Sequence, residues 1–550
     1  MINKQNASLI RLVKKVLVVS ALLIFVSSLL FLRHFYFPAK HQPSYPTYEG
    51  WDNGPVRHIL PAANHQQFLI KVSFEKPLAG PPNLVLSDSL MIQGQSLDPT
   101  RRFWEFFVNN LNPNTSYSLQ LELADKTKLA DSWELSTYPH PDSSAQELTI
   151  LAFTCAGGVK ERVLHQELFL KTEFRHLLLK RGLSFNPDIV IANGDHIYWD
   201  RQTMDKGFLK KLVKLRLDNI YGHLDLNTPM SNENNLSTIT KIADAQIAEL
   251  YGCLLRSTPT YFLPDDHDLL ENDEAHEDLV TLPPKLYGIE GQDIIQKLYY
   301  PEFLPDPNRP LNLPGSYEDR NKHYGTLRYG KLLESVLYDC KRHTALAGEK
   351  GVLVARDAED WIKQRTLTAE TKYFIHIPST PFALTAGKWS EWYPDVFQAD
   401  GKIGVGETEK FKWQMGWWLQ HQRILKSWRE SKQLPIIIQG DLHNSSYAKI
   451  QRSGNLDFGR KPIHVIGTGT LGSGKLGFPS SFRGTTAKVP KDLDVEEILS
   501  PIEKNGFSIL SISEAKINIK MYTWRPEDGL ENIKDLQPML EREIKRSEGL

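Results

Sequence analysis

Cysteine is nearly absent. Three in 550 residues are too few for a disulfide scaffold, and the odd number leaves at least one thiol without a partner in the chain. An excess of either charge is missing too: 65 basic against 66 acidic residues give a formal net charge of −1. A neutral chain has no global field for steering nucleic acid, so no specific nucleic-acid binding is expected. No internal repeat is visible, and beyond the N-terminus no stretch is long and apolar enough to span a bilayer. What is abundant is ordinary globular material: 41% hydrophobic and 24% charged residues can build cores, and disorder is excluded for most of the chain. The length suits two to three domains of roughly 150 residues each.

The N-terminus carries a membrane signal. Lys4, Arg11, Lys14 and Lys15 precede an apolar run from Val16 to Leu32, and Arg33 and His34 follow. The run is roughly 17 residues, at the short end of a spanning helix and slightly long for a signal-peptide core. The residues after it, Arg33-His34-Phe35-Tyr36-Phe37, offer no small-x-small cleavage pattern. Positive charge on the N-terminal side predicts that end inside and the rest exported. Residues 1–37 are therefore expected to be a cytoplasmic tail and transmembrane anchor; a cleaved signal peptide and a buried soluble helix are the alternatives.

Residues 38–55, rich in Pro, Tyr, Gly and His, read as a linker. Residues 56–140 change to short alternating strands, at Phe68–Phe74, Phe103–Val108 and Tyr117–Leu123. Between the last two, Leu111-Asn112-Pro113-Asn114-Thr115-Ser116-Tyr117 resembles the tyrosine corner of fibronectin type III-like sandwiches. Such a sandwich would be either a spacer or a lid shaping the substrate site. From 146 to 525 strand and helix alternate: strands at Leu148–Thr154, Asp188–Asn193, Glu334–Asp339, Tyr373–Ile377, Pro435–Gln439, Ile463–Gly467, Phe507–Ser513 and Lys516–Thr523. Helices are expected over Glu161–Lys180, Lys206–Tyr221, Thr238–Leu255, Ala355–Leu367 and Lys410–Ser431. This pattern argues an α/β domain with a large mixed sheet. Leu282–Asn321, rich in Pro, Tyr and Asn, reads as a long functional loop. The charged tail, 526–550, reads as a solvated helix or fray.

Two buried strands end alike. Asp188–Asn193 runs into Gly194-Asp195-His196-Ile197-Tyr198, and Pro435–Gln439 runs into Gly440-Asp441-Leu442-His443. Glycine permits the sharp turn, and the acid then stands at the carboxyl end of a strand, where open α/β sheets place ligands. One such acid is as well explained by a turn cap; two, one of them followed by His443, fit a site for a divalent ion. Between them, Pro264-Asp265-Asp266-His267-Asp268 sets three carboxylates around a histidine, which would repel one another without a cation. Asp339-Cys340-Lys341-Arg342 also follows a strand and receives no ligand role. Trp413, Trp417 and Trp418 either line a pocket or pack in the core.

In order and spacing, Thr154-Cys155, Gly194-Asp195-x-x-Tyr198, Asp265-Asp266-His267-Asp268 and Gly440-Asp441-x-His443 together resemble the PhoD-like alkaline phosphatase family of metallophosphoesterases. Thr326–Gly330 and Tyr338–Arg342 look like the family's Arg-x-Gly…Asp-x-Arg strand. The resemblance covers roughly residues 148–523. It implies an αββα sandwich preceded by the small β-sandwich. It also implies Fe3+ held by Cys155 and Tyr198, a bridging Asp195, and Ca2+ held by Asp266, Asp441 and His443, other divalent metals being possible occupants. Thiolate and phenolate suit ferric iron, and carboxylate oxygens suit calcium. His267 is expected to protonate the leaving oxygen or else to orient Asp266; Asp268 is expected to lie outside the ligand set.

Three features depart from the family pattern. Ala156-Gly157-Gly158 follows the cysteine where a polar residue is usual. Arg11 is followed by Leu12, not by a second arginine. His376-Ile377-Pro378 looks like the His-x-Pro block of ordinary dinuclear enzymes, so His376 is either a ligand or a packed histidine. The implied function is a membrane-anchored, exported phosphatase or phosphodiesterase whose metals hold the phosphate ester and lower the pKa of a bound water. The alternatives are a two-metal enzyme without iron, and a non-catalytic cell-envelope binding protein that retains the fold.

Overall fold

Alternation along the apolar strands decides the architecture. In Ile189–Asn193, Ile189 and Ile191 point to one face and Val190 and Ala192 to the other; in Pro435–Gln439, Ile436 and Ile438 oppose Ile437. All of these side chains are buried, so each strand needs cover on both faces. The computed structural model, which describes residues 2–546 except 88, 160–161, 164–165, 204–207, 271–283, 307–322, 346–347, 385–414, 484–485 and 491, supplies it with two stacked sheets. Ile150, Ile189 and Leu263 of one sheet share a core with Ile375, Ile436 and Ile438 of the other. The outward residues of the first sheet, among them Val190 and Phe262, pack with Leu178, Leu217 and Ile239 of flanking helices. Those of the second, among them Phe374 and Ile437, pack with Trp361, Ile424 and Trp428. The layers are helix, sheet, sheet, helix, the αββα order that the family resemblance implies; the strand pattern alone suggests a large mixed sheet and does not separate the two.

The first sheet runs Thr260–Leu263, Ile189–Asn193, Glu147–Thr154, Asn505–Ser513, Lys516–Trp524, Leu540–Lys545. The first three are mutually parallel, and the sheet turns antiparallel from Glu147–Thr154 outward. The second has a parallel centre of Leu333–Tyr338, Tyr373–Pro378, Pro435–Gln439 and Ile463–Thr468. Ile189–Asn193 and Pro435–Gln439 are each paired on both sides by parallel strands, and the Gly-Asp turn that follows each emerges at the carboxyl edge of its sheet.

Several elements differ from expectation. The tail has two short 3-10 turns, Pro526–Asp528 and Leu530–Ile533, and then contributes the edge strand Leu540–Lys545, whose Ile544 is buried against the sheet, in place of the expected solvated helix or fray. Within Leu282–Asn321 the described part holds the helix Leu286–Tyr299; 282–283 and 307–321 lie outside the described residues. The helix expected over Glu161–Lys180 is displaced to Thr172–Leu183, with the small ladder Arg162–Val163 and Gln166–Glu167 before it. The helix expected over Thr238–Leu255 begins at Glu233 and passes at Asp244–Ala248 into π-helix. At the N-terminus the helix Ile2–Phe35 contains one stretch long and apolar enough to cross a membrane, Lys15–Phe35, with mean hydropathy 2.5 and none of it buried.

Residues 56–136 form two four-stranded antiparallel sheets, Val56–Ala63, Phe68–Phe74, Phe103–Val108, Gln95–Ser96 and Leu90–Gln93, Asn83–Leu86, Ser116–Glu122, Trp133–Ser136. Ile70, Val72 and Phe106 meet Leu84, Leu119 and Leu121 between them. The hydroxyl of Tyr117 accepts the backbone N–H of Asn112 at 2.8 Å. This unit is clamped to the α/β layers by buried polar groups. Lys71, fully buried, donates to Glu105 at 2.7 Å and to the Lys297 carbonyl at 3.1 Å, and lies 3.1 Å from Glu302. Asp244 receives Arg57 at 2.8 Å, Arg102 at 3.2 Å and the Tyr299 hydroxyl at 2.7 Å. The preceding segment, irregular as expected of a linker, is also pinned: His41 and the Ser44 N–H reach the Glu249 carboxylate, and the Cys253 N–H donates to the Tyr48 hydroxyl.

Removing the Lys71 charge would leave two buried carboxylates facing a methylene stem. Lys71→Met is expected to lower the unfolding free energy by about 3–5 kcal/mol, the cost of breaking a buried pair from one side. Neutralising Glu105 and Glu302 in the same chain should recover most of it. Denaturant midpoints measure both, and a Lys71→Met midpoint equal to wild type would contradict the clamp.

Candidate metal centre

Three candidate ligands sit at the first residue or two after a strand, and all three have left-handed backbones: Cys155 at φ +48°, Asp195 at +54° and Asp441 at +68°. For residues with a Cβ this costs roughly 1–2 kcal/mol each, and such outliers gather at functional sites because the surroundings hold them there. The surroundings are visible. The Thr154 hydroxyl donates to the Asn193 carbonyl at 2.5 Å and accepts the Asp441 N–H at 3.3 Å, and the Asn193 amide donates to the Pro378 carbonyl at 2.9 Å, stitching the sheets together at this edge. A Cβ on Gly440 would stand 2.7 Å from the Ser379 carbonyl and 2.8 Å from that of Asn193, so only glycine permits the approach. Gly157 serves the same end beside Cys155: a Cβ there would lie 2.5 Å from the His196 carbonyl. The small residues after the cysteine let its loop lie against the Asp195 loop.

The ligand atoms of Cys155, Asp195 and His443 lie within 4.8 Å of one another, as do those of Asp195, Asp265, Asp266 and Asp441, and those of Asp195, Asp266 and His267. Asp195 is common to all three groups. The Tyr198 hydroxyl donates to Asp195 Oδ2 at 2.9 Å and stands 3.3 Å from His443 Nε2, joining the first group. His443 donates from Nδ1 to the Gly477 carbonyl at 2.6 Å, which turns an unprotonated Nε2 toward the centre. The four carboxylates are at most 3% exposed, and both oxygens of Asp265 are buried without a hydrogen bond. Burial, followed by the Asp195 charge, pushes the Cys155 thiol and the Tyr198 phenol well above their ordinary pKa values. Burial does the same to Asp265, with Lys341 opposing and Asp441 reinforcing. Acids crowded in this way release their protons only to a cation. The donor set fits one: thiolate, phenolate and imidazole on one side of Asp195, carboxylates alone on the other.

The supporting shell is equally specific. The carboxylate of Asp268 accepts four backbone N–H groups, from Asp195, His196, Ile197 and Asp265, at 2.8–3.0 Å, and so fixes both acidic loops at once. Gln246, in the π-helical segment, accepts from the N–H of Gly158 and of Tyr198 at 2.7 and 2.8 Å and donates to the Tyr198 carbonyl at 3.0 Å. His267 Nδ1 pairs with Asp200 at 2.9 Å. Burial disfavours its charge, but Asp200, Asp266 and Asp195 outweigh that and lift the imidazole to about 9.

Two members of the cluster carry no ligand role in the sequence reading. Asp265 lies beside Asp266 in the same motif, and adjacency alone does not say which of two acids turns inward. Lys341 is buried with its ammonium 3.7 Å from Asp265 and 3.8 Å from Asp441; its position after a strand was the available signal. His376 is not in the cluster. Its nitrogens meet the Tyr338 and Thr366 hydroxyls at 3.3 and 2.8 Å, its ring packs on Trp428, and burial lowers it to about 3. Trp417 is buried in the outer core and donates to the Ala345 carbonyl; Trp418 packs against that core, and Trp413 lies outside the described residues.

No family model and no curated protein matches the sequence. Among solved structures the chain is similar to one described as the structure of PhoD, with a TM-score of 0.55 and 12% identity over 87% of this chain and 88% of that one. It is similar also to the purple acid phosphatase PPD1 from yellow lupin (Lupinus luteus) seeds, with a TM-score of 0.52 and 13% identity over 90% of this chain and 74% of that one. Identities this low establish the fold alone: the chain is folded like these two structures.

Asp268→Asn turns a donor toward N–H groups that need an acceptor. It should cost about 1–3 kcal/mol in stability, the penalty for buried donors left unmet. It should also weaken metal affinity about 10–100-fold, as loss of a supporting partner does, without abolishing binding. Thermal melts and metal titration test this, and metal loss as complete as in Asp195→Asn would mean that Asp268 is itself a ligand.

Proposed function

We propose that this protein is a membrane-anchored, exported, metal-dependent phosphoesterase acting on phosphate monoesters or diesters. The observation that carries the reading is the sharing of Asp195 by a thiol–phenol–imidazole group and an all-carboxylate group. The resemblance put His443 with calcium, but its Nε2 lies with Cys155, Asp195 and Tyr198, so in this reading ferric iron takes Cys155, Asp195, Tyr198 and His443. Calcium or another divalent ion takes Asp195, Asp266 and Asp441, with Asp265 alongside. When bound, the two cations supply Lewis acidity toward a phosphoryl group and the attacking water. The chain's own residues do the rest. Asp195 carries the charge that lets two cations sit close together. His267, held and charge-balanced by Asp200, is the group that protonates the leaving oxygen, and the Lys341 ammonium adds a fixed positive charge at the carboxylate side.

The apolar helix is read as an anchor with its basic N-terminal end inside and the folded domains on the exported side. The N-terminal sheets are read as a fibronectin-III-like sandwich, for which the bond from Asn112 N–H to the Tyr117 hydroxyl speaks. Their clamp on Asp244 makes them part of the site's support rather than a mobile spacer.

Metal content and turnover test the core of this reading. Protein from its native host should contain iron and show a charge-transfer colour that shifts in Tyr198→Phe, and Asp195→Asn should lose metal and nearly all activity while still folding. Full activity in Asp195→Asn would end the phosphoesterase reading. Metal and ester binding without turnover in the wild type would instead indicate a binding protein.

The role of His267 has its own signature. A nitrophenolate leaves without a proton, and an alkoxide does not. His267→Gln should therefore lose about 10²–10⁴-fold on alkyl phosphate esters, the usual worth of a general acid, and much less on nitrophenyl esters. Equal losses on both classes would make His267 a positioning residue for Asp266.

A further inference from the structure

The helix Ile2–Phe35 does not end in free solvent. Its last carbonyls, which have no partner within a helix, are taken by the helix Phe208–Tyr221: Arg216 donates to the His34 carbonyl at 2.8 Å and Asn219 to that of Phe35 at 3.2 Å. If Lys15–Phe35 crosses a bilayer, Phe208–Tyr221 lies at the level where the chain leaves it. That level is marked by exposed aromatics, Tyr36 at 46%, Phe37 at 74% and Phe208 at 72% exposure. It is also marked by cations: Arg33 and Lys40 on the emerging chain, and Lys211, on the exposed stripe of the docked helix with Phe208. The only acid in that helix, Asp218, is bound by Lys214 at 2.7 Å. Aromatic rings with basic side chains are what the headgroup region of an anionic membrane favours. The other face of the helix is committed to the protein, with Leu217 and Tyr221 buried in the outer core.

We propose that Phe208–Tyr221, together with Tyr36 and Phe37, is a membrane-docking face that binds anionic phospholipid headgroups of the bilayer crossed by the N-terminal helix. The inference rests on the anchored reading above. Its consequence is orientation. The turn Asp200–Gln202, which carries the partner of His267, packs against this helix, so the catalytic edge is held near the headgroups. The substrates presented to it are phosphate esters of the membrane surface.

The test uses the full chain in phosphatidylcholine vesicles with and without phosphatidylglycerol. Cys155, Cys253 and Cys340 are at most 1% exposed, so a fluorophore on Lys211→Cys reports from the docking face. Another on Asp494→Cys reports from a strand of the second sheet, in the opposite layer. The expected result is quenching by headgroup nitroxide lipids at 211 and not at 494. That quenching should grow with phosphatidylglycerol and fall with salt, the docked population changing by about fivefold per lysine engaged. Equal quenching at both positions in vesicles with which the protein floats would overturn the docking face and leave the anchor standing. Quenching indifferent to lipid charge and salt would overturn its preference for anionic lipid. Protein that does not float with vesicles would overturn anchor and docking face together.

Discussion

Four carboxylates converge to within 4.8 Å in a setting almost without solvent. Like charges at that separation and burial repel strongly, and no packing of apolar neighbours relieves them. The rest of the site is arranged so that they stay there. Thr154 and Asn193 lock the edges of two sheets together, Asp268 gathers the backbone of both acidic loops, and Cys155, Asp195 and Asp441 accept left-handed conformations. Burial and the neighbouring acids push the Cys155 thiol, the Tyr198 phenol and Asp265 well above their usual pKa values, and the whole arrangement is what a bound cation would relieve.

Much of this was legible because strands announce their two faces. Ile189–Asn193 and Pro435–Gln439 have the β-branched, doubly buried composition of central parallel strands, and a glycine followed by an acid locates the functional edge. What was not legible depends on which way neighbours turn. Sequence adjacency does not separate Asp265 from Asp266, and both enter the cluster. His376 sits on a strand that looked like a ligand block, yet alternation sends its ring outward to Thr366 and Trp428, away from the acids. The helix Leu286–Tyr299 was hidden by its setting, a Pro- and Asn-rich stretch whose composition masks an apolar face built from Ile295, Leu298 and Tyr299. The strand Leu540–Lys545 was hidden by charge: as an edge strand it buries only Ile544, and its alternating Glu, Arg and Lys read equally well as a solvated helix.

The N-terminal sheets bear on the centre through a short chain of contacts. Arg57 and Arg102 hold Asp244, where the π-helical turn begins; Gln246 in that turn fixes Gly158 and both backbone groups of Tyr198; and Tyr198 meets Asp195 and His443. The segment after the N-terminal helix bonds to Glu249, next to the same turn. A π-turn inserts a residue into the helical ladder and re-aims the side chains beyond it. Here it aims one amide at two loops of the candidate centre, and both preceding segments of the chain brace it.

Lys341 completes the electrostatic argument. In the proposed loading the anionic donors are Cys155, Tyr198, Asp195, Asp265, Asp266 and Asp441, while His443 is neutral and His267 is balanced by Asp200. Against these six donors a trivalent and a divalent ion would leave one negative charge over, which the ammonium set between Asp265 and Asp441 would offset. A compact point charge suits that place better than a guanidinium fork, which would demand planar pairing with one carboxylate at the other's expense. A lysine here would act in that loading as a fixed counter-charge between Asp265 and Asp441, offsetting one of the negative charges of the buried edge.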